Sequence, residues 1–203
     1  MDLGNIATTY ATIFPVELPD KTFIATLVLA TRYRGLLVWI GVGLAFAVQC
    51  AVAVTAGGLL SALPDAVVSG GAAVLFLAGA VLLWRGAGAA DEEEAAAEQE
   101  FAEKATAQVH GFRAVATSFG VLFLAEWGDL SQLLTMGLAA QRDDPVGVFL
   151  GSWTALLTVS GLAVLLGRSL LRHISLAMIR RIGAVVCLLL AALATYDVVR
   201  ELT

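Results

Sequence analysis

Residues 14–22 read F-P-V-E-L-P-D-K-T, and residues 123–131 read F-L-A-E-W-G-D-L-S. Each stretch carries a glutamate followed three residues later by an aspartate, and the two align at an offset of 109 residues. Both lie inside long apolar segments, where an ionised carboxylate is costly, faces the interior of a helix bundle and marks a function. The repeated motif therefore predicts a membrane protein whose two halves contribute to one site.

The composition of the whole chain agrees with a membrane protein. Of its 203 residues, 59% are hydrophobic and only 14% are charged, and the mean hydropathy is +0.87. A soluble domain has about a quarter of its residues charged. The net charge of −5 arises largely from one acidic stretch, and no basic face is present that would bind nucleic acid. Cys50 and Cys187 lie in apolar runs and are interpreted as packing residues.

Apolar runs of about 20 residues, the length that crosses a bilayer, recur along the chain. They predict an all-α membrane protein of six transmembrane helices, at residues 6–31, 36–60, 66–84, 112–140, 146–166 and 181–199. Long unbroken apolar runs suit helices, whereas the strands of a membrane barrel alternate in polarity. The first span is expected to be retained, because no signal-peptide cleavage site follows it. The basic segment before the last span, GRSLLRHISLAMIRR, is compatible with a short interfacial helix.

One long connection, residues 87–111, separates a first three-helix unit, residues 1–86, from a second, residues 112–203. The acidic residues of this linker stand amid alanines and are Asp91, Glu92, Glu93, Glu94, Glu98, Glu100 and Glu103. This composition favours a solvated and partly helical linker. The alternative is an acidic surface that concentrates cations near a pore.

The distribution of basic residues among the short connections predicts the orientation in the membrane. With the N-terminus outside, only Arg142 and Arg200 lie on the outer side. The inner side then receives Arg32, Arg34, Arg85, Lys104, Arg113, Arg168, Arg172, Arg180 and Arg181. We therefore expect a protein of the cell (plasma) membrane with both termini outside and the acidic linker in the cytoplasm.

Because each unit has three helices, the second unit enters the membrane from the side opposite to the first. This is the inverted-repeat arrangement of many secondary transporters, whose substrate site lies at the midplane between the repeats. Glu17, Asp20, Glu126 and Asp129 are accordingly the predicted metal-binding residues, and their spacing places each pair on one helix face. Carboxylates gathered in this way cannot all stay ionised alone, so they hold protons or a cation. Competition between the two is the physical basis of cation/proton exchange.

The residue types favour a hard divalent cation such as Mn²⁺ or Ca²⁺, which oxygen ligands bind well. No Cys or His accompanies the carboxylates, which argues against zinc or copper. Five further residues are candidates for the site as oxygen ligands, charge partners or pore lining: Thr22, Ser131, Gln132, Lys21 and Gln49. The alternative for the polar residues among them is packing between helices. Neither catalytic residues nor a resident cofactor is expected, and the sequence leaves the oligomeric state open.

Both motifs contain a residue that interrupts a helix. Pro19 has no N–H to donate to the carbonyl of residue 15, and its ring clashes there, so the helix is expected to kink. Gly128 stands at the matching place in the second motif and also loosens a helix. A carbonyl freed at such a break is a further candidate ligand, and broken helices are tolerated where they line a polar cavity.

The motifs E-L-P-D-K-T and E-W-G-D-L-S-Q resemble the paired E-x-G-D-[KR]-[TS] signature of the GDT-one family of membrane transporters. This family was formerly uncharacterised-protein family sixteen, and it includes the eukaryotic Golgi manganese transporter. The resemblance covers the whole chain and implies exchange of Mn²⁺ or Ca²⁺ for protons, with bacterial members similar to manganese exporters. The matching positions are Glu17, Asp20, Lys21 and Thr22 in the first motif, and Glu126, Gly128, Asp129 and Ser131 in the second.

The sequence departs from the signature at two positions. Pro19 replaces the first glycine, and Leu130 replaces the second basic residue. The proline preserves a helix break by another means, whereas the leucine removes a positive charge. The two half-sites therefore differ in charge, which leaves the ion and the proton stoichiometry open.

The leading prediction is a secondary transporter that exports a divalent cation, Mn²⁺ before Ca²⁺, in exchange for protons. A passive cation channel, or a carrier of another solute, would tolerate the same carboxylates without needing protons. An intramembrane aspartyl protease is a remote alternative, because Gly128 and Asp129 resemble part of a Gly-x-Gly-Asp motif. Residue 126, however, is a glutamate rather than the glycine of that motif.

Overall fold

The computed structural model describes residues 2–18, 21–104, 111–173 and 176–202 of the chain. Over these ranges the secondary structure consists of helices and short connections, without a strand. The helices are α1 (Leu3–Glu17), α2 (Lys21–Arg32), α3 (Gly35–Leu60), α4 (Asp65–Gly86), α5 (Ala90–Lys104), α6 (Phe112–Ala125), α7 (Leu130–Gln141), α8 (Pro145–His173) and α9 (Leu176–Leu202). The predicted all-α class is confirmed.

Four of the described helices are long and apolar enough to cross a membrane: Gly35–Leu60, Ala66–Gly86, Pro145–Leu166 and Arg180–Arg200. They correspond to α3, α4, α8 and α9. The segments predicted as continuous spans at 6–31 and 112–140 are instead each divided into two shorter helices, α1 with α2 and α6 with α7. In both cases the division falls at the carboxylate motif, where the sequence carries Pro19 or Gly128. At Gly128 the expected kink is a complete break; on the first motif α1 ends at Glu17 and α2 begins at Lys21, and residues 19 and 20 lie outside the described residues.

The basic segment before the last span is not a separate interfacial helix. The eighth helix continues to His173 and the ninth begins at Leu176, so the segment forms the ends of these two long helices. Residues 174 and 175 lie outside the described residues. Apolarity alone ends the eighth helix too early and begins the ninth too late, because basic residues can extend a helix beyond the hydrocarbon.

Helix α3 lies at the centre of the bundle and packs against α6, α7 and α8. Two glycines permit its close approach to the broken pair α6 and α7. A Cβ on Gly41 would lie 3.0 Å from the Cβ of Ser118 on α6, and one on Gly57 would lie 2.7 Å from the Cβ of Ala139 on α7. Small residues at such contacts let helix backbones pack closely in a membrane. Helices α4 and α9 pack mainly on each other and leave much of their apolar surface exposed.

The acidic linker is partly helical, as predicted. Its helix, α5, packs against α2 and contacts α9. Ala97 and Phe101 are buried, whereas Glu92 and Glu103 are exposed. The linker is therefore docked along one apolar face and presents described acidic residues to solvent.

The N-terminal helix is tied to the connection between α7 and α8. The backbone N–H of Asp2 donates to the Asp144 carboxylate at 2.7 Å, and Arg142 donates to the Thr8 hydroxyl at 2.6 Å. The N–H groups of Asp2 and Gly147 lower the pKa of Asp144, because they bind its ionised form. Burial lowers the pKa of Arg142.

Candidate cation site

Three carboxylates from the two helix breaks come together. Glu17 is the last residue of α1, Glu126 follows the end of α6, and Asp129 caps the start of α7. One carboxylate oxygen from each residue lies within 4.8 Å of the others. Glu17 is 1% exposed and Glu126 4% exposed, while Asp129 is half-buried. Acidic oxygens gathered this closely away from water suit a divalent cation or shared protons.

The fourth predicted carboxylate, Asp20, lies outside the described residues, as does Pro19. The structure therefore describes the first break only through the end of α1 and the start of α2. Helix α1 ends as the Leu18 N–H donates to the Phe14 carbonyl at 3.1 Å, and α2 begins at Lys21. The side chain of Lys21 is exposed.

The second break is built around Gly128. Its φ of +79° is in the left-handed region, which a glycine adopts without steric penalty. Its N–H donates to the Gln132 side-chain oxygen at 2.8 Å. The Asp129 carboxylate accepts from the Ser131 N–H at 3.4 Å and from the Ser131 hydroxyl at 3.3 Å. The turn thus interrupts the helix within a few residues and holds Glu126 and Asp129 close together.

Gln49 of α3 supports this break from the neighbouring helix. Its side-chain N–H donates to the Phe123 carbonyl at 3.1 Å, and the residue is 5% exposed. Phe123 is in the last turn of α6, where carbonyls lack a helical partner. The sequence suggested Gln49 as a pore-lining residue, and the structure places its amide nitrogen on the backbone of the broken helix.

The hydroxyl candidates differ in their surroundings. Thr22 is fully buried, and among the described residues its hydroxyl has no hydrogen-bond partner. Ser131 is 8% exposed and bonded to Asp129, as described above. Gln132 has its oxygen on Gly128, and its buried amide nitrogen has no partner among the described residues. The structure thus brings Ser131 and Gln132 to the second break, while Thr22 lies in the first turn of α2.

A cavity of about 290 Å³ reaches the second break. Two of its lining residues, Glu126 and Asp129, belong to the carboxylate group, and two others, Lys21 and Arg180, are basic. Arg180 is 8% exposed and donates to the Gly86 carbonyl at 2.7 Å. The sequence analysis treated Arg180 as a loop residue on the inner side, because α9 was predicted to begin at residue 181. No local signal in the sequence distinguishes the buried Arg180 from the exposed Arg181 that follows it.

Comparison with known proteins identifies the family. The sequence matches the family described as "Divalent cation/proton antiporter GDT1" over residues 5–91 and 114–202. The chain belongs to the GDT1 family. It is 33% identical to GDT1-like protein 1, chloroplastic, of Oryza sativa subsp. indica over 224 residues, which cover 98% of this chain and 65% of that protein. No solved structure matches the chain.

Two other relatives extend this comparison within the GDT1 family. A GDT1-like protein of Synechocystis is 33% identical over 190 residues, which cover 88% of this chain and 90% of the relative. Protein PAM71, chloroplastic, of Arabidopsis thaliana is 31% identical over 220 residues, which cover 98% of this chain and 59% of the relative. The chain thus spans less than two thirds of the length of the rice and Arabidopsis proteins. The family is one of transporters rather than enzymes, as the sequence predicted, and the protease alternative loses its support.

Proposed function

We propose that this chain exchanges a divalent cation for protons across a membrane, with Glu17, Asp20, Glu126 and Asp129 as the cation ligands. The observation that carries the proposal is the meeting of carboxylates from both helix breaks within 4.8 Å. In this site a bound cation keeps the carboxylates ionised. When the cation leaves, protons take its place, because so many negative charges cannot remain close together alone. The family description, divalent cation/proton antiporter, supports the same exchange.

Mn²⁺ is the cation we propose first, with Ca²⁺ as the second candidate. The described ligand candidates offer oxygen atoms, which hard divalent cations prefer. The proposed direction is export from the cytoplasm, driven by an inward proton gradient. The proposed location is the cell membrane, with both termini outside and the acidic linker in the cytoplasm. The distribution of basic residues among the connections supports this orientation.

The proposed architecture has six spans, of which two are the broken pairs α1–α2 and α6–α7. The units 1–86 and 112–203 would then be inverted repeats. Helices α3 and α8, the second span of each unit, are joined by two hydrogen bonds. Trp39 of α3 donates to the Leu157 carbonyl of α8 at 2.9 Å, and Trp153 of α8 donates to the Gly43 carbonyl of α3 at 2.8 Å.

Close helix approaches support this relation, because equivalent contacts recur in both units. A Cβ on Gly41 of α3 would lie 3.0 Å from the Cβ of Ser118 on α6, and one on Gly151 of α8 would lie 2.7 Å from the Cβ of Thr9 on α1. Thr9 and Ser118 are related by the same offset of 109 residues that relates Glu17 to Glu126. A two-fold axis in the membrane plane produces such exchanged contacts.

The test is exchange in sealed vesicles that contain the purified protein and a pH-sensitive dye. An imposed Mn²⁺ gradient should drive protons in the opposite direction, and Ca²⁺ should compete if it shares the site. Glu17→Gln and Glu126→Gln should abolish the proton signal, whereas Glu103→Gln, on the exposed side of α5, should leave it unchanged. Mn²⁺ movement without proton movement would favour the passive channel. Full activity of both site variants would disprove the site.

In cells that lack their own Mn²⁺ exporter, the intact chain should restore growth at toxic Mn²⁺ concentrations. The same Glu17→Gln and Glu126→Gln variants should fail to protect. An intact chain that gives no protection would argue against Mn²⁺ export, whatever the vesicles show for exchange.

A further inference from the structure

Arg180 combines three features that are unusual in one residue. Its side chain carries a charge, it is 8% exposed, and it lines the cavity that reaches Glu126 and Asp129. Arg181, the next residue on the same helix, is exposed. Burial of a charged group is costly, which distinguishes Arg180 from the exposed Arg181 beside it.

The local contacts fix the guanidinium group in place. It donates to the Gly86 carbonyl at 2.7 Å, at the end of α4. A Cβ added at Gly86 would lie 3.1 Å from the same nitrogen of Arg180, so only a glycine leaves ordinary room for this approach. Since a guanidinium remains charged throughout the physiological pH range, the cavity contains a permanent positive charge at a fixed place.

We propose that Arg180 is an affinity-setting residue of the cation site. This inference rests on the proposed function. A fixed positive charge in the same cavity repels a bound divalent cation and attracts the carboxylates after the cation has left. It therefore weakens cation binding and speeds release, which a transporter needs as much as capture. Leu130 occupies the place of the second basic residue in the family signature, so the second motif supplies no positive charge at that position. Arg180 brings a positive charge into the same cavity from α9.

The experiment measures KM and maximal rate for Mn²⁺-driven proton movement in vesicles. Arg180→Gln removes the charge and should lower both KM and maximal rate by about tenfold, because a unit charge and a divalent ion across a cavity of this size interact strongly in a medium of low dielectric constant. Arg180→Lys keeps the charge and should stay close to the parent protein. Arg181→Gln, with the same charge change on an exposed neighbour, should alter neither value.

Other results would overturn the inference. If Arg180 only joins α4 to α9, Arg180→Gln would reduce the maximal rate without lowering KM, and Arg180→Lys would be equally impaired. Should Arg180→Gln fail to fold, Arg180→Met, with a flexible apolar side chain, replaces it in the comparison. If both neutral variants failed to fold while Arg180→Lys folded, the charge would be needed for folding rather than for setting cation affinity. Absence of exchange by the parent protein would refute the proposed function itself, and is thereby distinct from failure of this inference.

Discussion

Replacement of Gln49 by leucine tests whether the broken helix is held by its neighbour. Leucine has a similar size, so the change mainly removes the hydrogen bond from the Gln49 amide to the Phe123 carbonyl, 3.1 Å long and buried. Loss of a partner for a buried carbonyl costs about 1–3 kcal/mol. Hydrogen bonds between helices in a membrane average about 0.6 kcal/mol.

These two values bracket the expected loss for Gln49→Leu. The free energy of unfolding should fall by about 0.6–3 kcal/mol, which is roughly a threefold to hundredfold change in the unfolding equilibrium. Unfolding of the purified protein in mixed detergent micelles measures this loss. Transport should also decrease, because the end of α6 that carries Glu126 is no longer held.

A matched variant separates this effect from a general disturbance of α3. Thr55 lies on the same helix, is exposed, and donates at 2.7 Å to the Ala51 carbonyl within its own helix. Thr55→Val should therefore change stability and transport much less than Gln49→Leu. If Gln49→Leu kept both the stability and the transport rate of the parent protein, the support of the break by α3 would be refuted.

Three further predictions concern backbone and charge. Gly128→Ala should lower stability by about 1–2 kcal/mol and slow transport, because alanine is strained at a φ of +79°. Its control, Gly120→Ala, lies in an open and regular part of α6 and should be neutral or stabilising by up to about 1 kcal/mol. Gly57→Val should lower the free energy of unfolding by about 1–3 kcal/mol, because the new valine side chain would meet the backbone of α7. The methyl group added by Gly58→Ala would face open space, so this variant should be tolerated. The pKa of Asp144 is lowered below its ordinary value, because the N–H groups of Asp2 and Gly147 bind its ionised form. Its stabilising contribution is therefore present above that ordinary value and is lost as the pH falls through the lower pKa of the folded protein. Asp144→Asn should remove this acid sensitivity.

The measurements for these variants are direct. Unfolding in detergent micelles compares each glycine pair, and equal losses in both members of a pair would contradict the role given to the backbone. For Asp144, hydrogen exchange at the Gly147 amide, which donates to this carboxylate at 3.0 Å, is followed as the pH is lowered. An exchange rate with the same pH dependence in the Asp144→Asn variant would count against the linkage, after correction for the intrinsic chemistry of exchange.

Sequence indicated three carboxylates that the structure brings together, Glu17, Glu126 and Asp129, and their binding of a cation stays a prediction. The repeat of Glu17 and Glu126 within apolar segments is a local signal, because the energetic cost of a charge in hydrocarbon requires a function wherever the chain folds. The break at Gly128 was also predictable as a kink, since a glycine acts on its own backbone. The family that these motifs resembled is the family to which the chain belongs.

What sequence could not predict depends on partners from distant parts of the chain. Gln49 and Arg180 are single polar residues near apolar runs, and nothing next to them in sequence identifies the Phe123 or Gly86 carbonyl as their partner. The docking of α5 through Phe101 was similarly hidden by the charge around it. Hydropathy gives the length of a span, but the contacts of a helix end are decided by packing.

The two breaks have a consequence that concerns the peptide backbone rather than the side chains. Each break places the C-terminal end of one helix, at Glu17 or Ala125, next to the N-terminal end of another. The aligned peptide dipoles give a C-terminal end about half a negative charge, which attracts cations, and an N-terminal end about half a positive charge, which attracts carboxylates. This part of the electrostatic field remains when every carboxylate is protonated or replaced by an amide. We therefore expect variants such as Glu17→Gln to lose exchange yet retain weak cation binding, measurable by calorimetry.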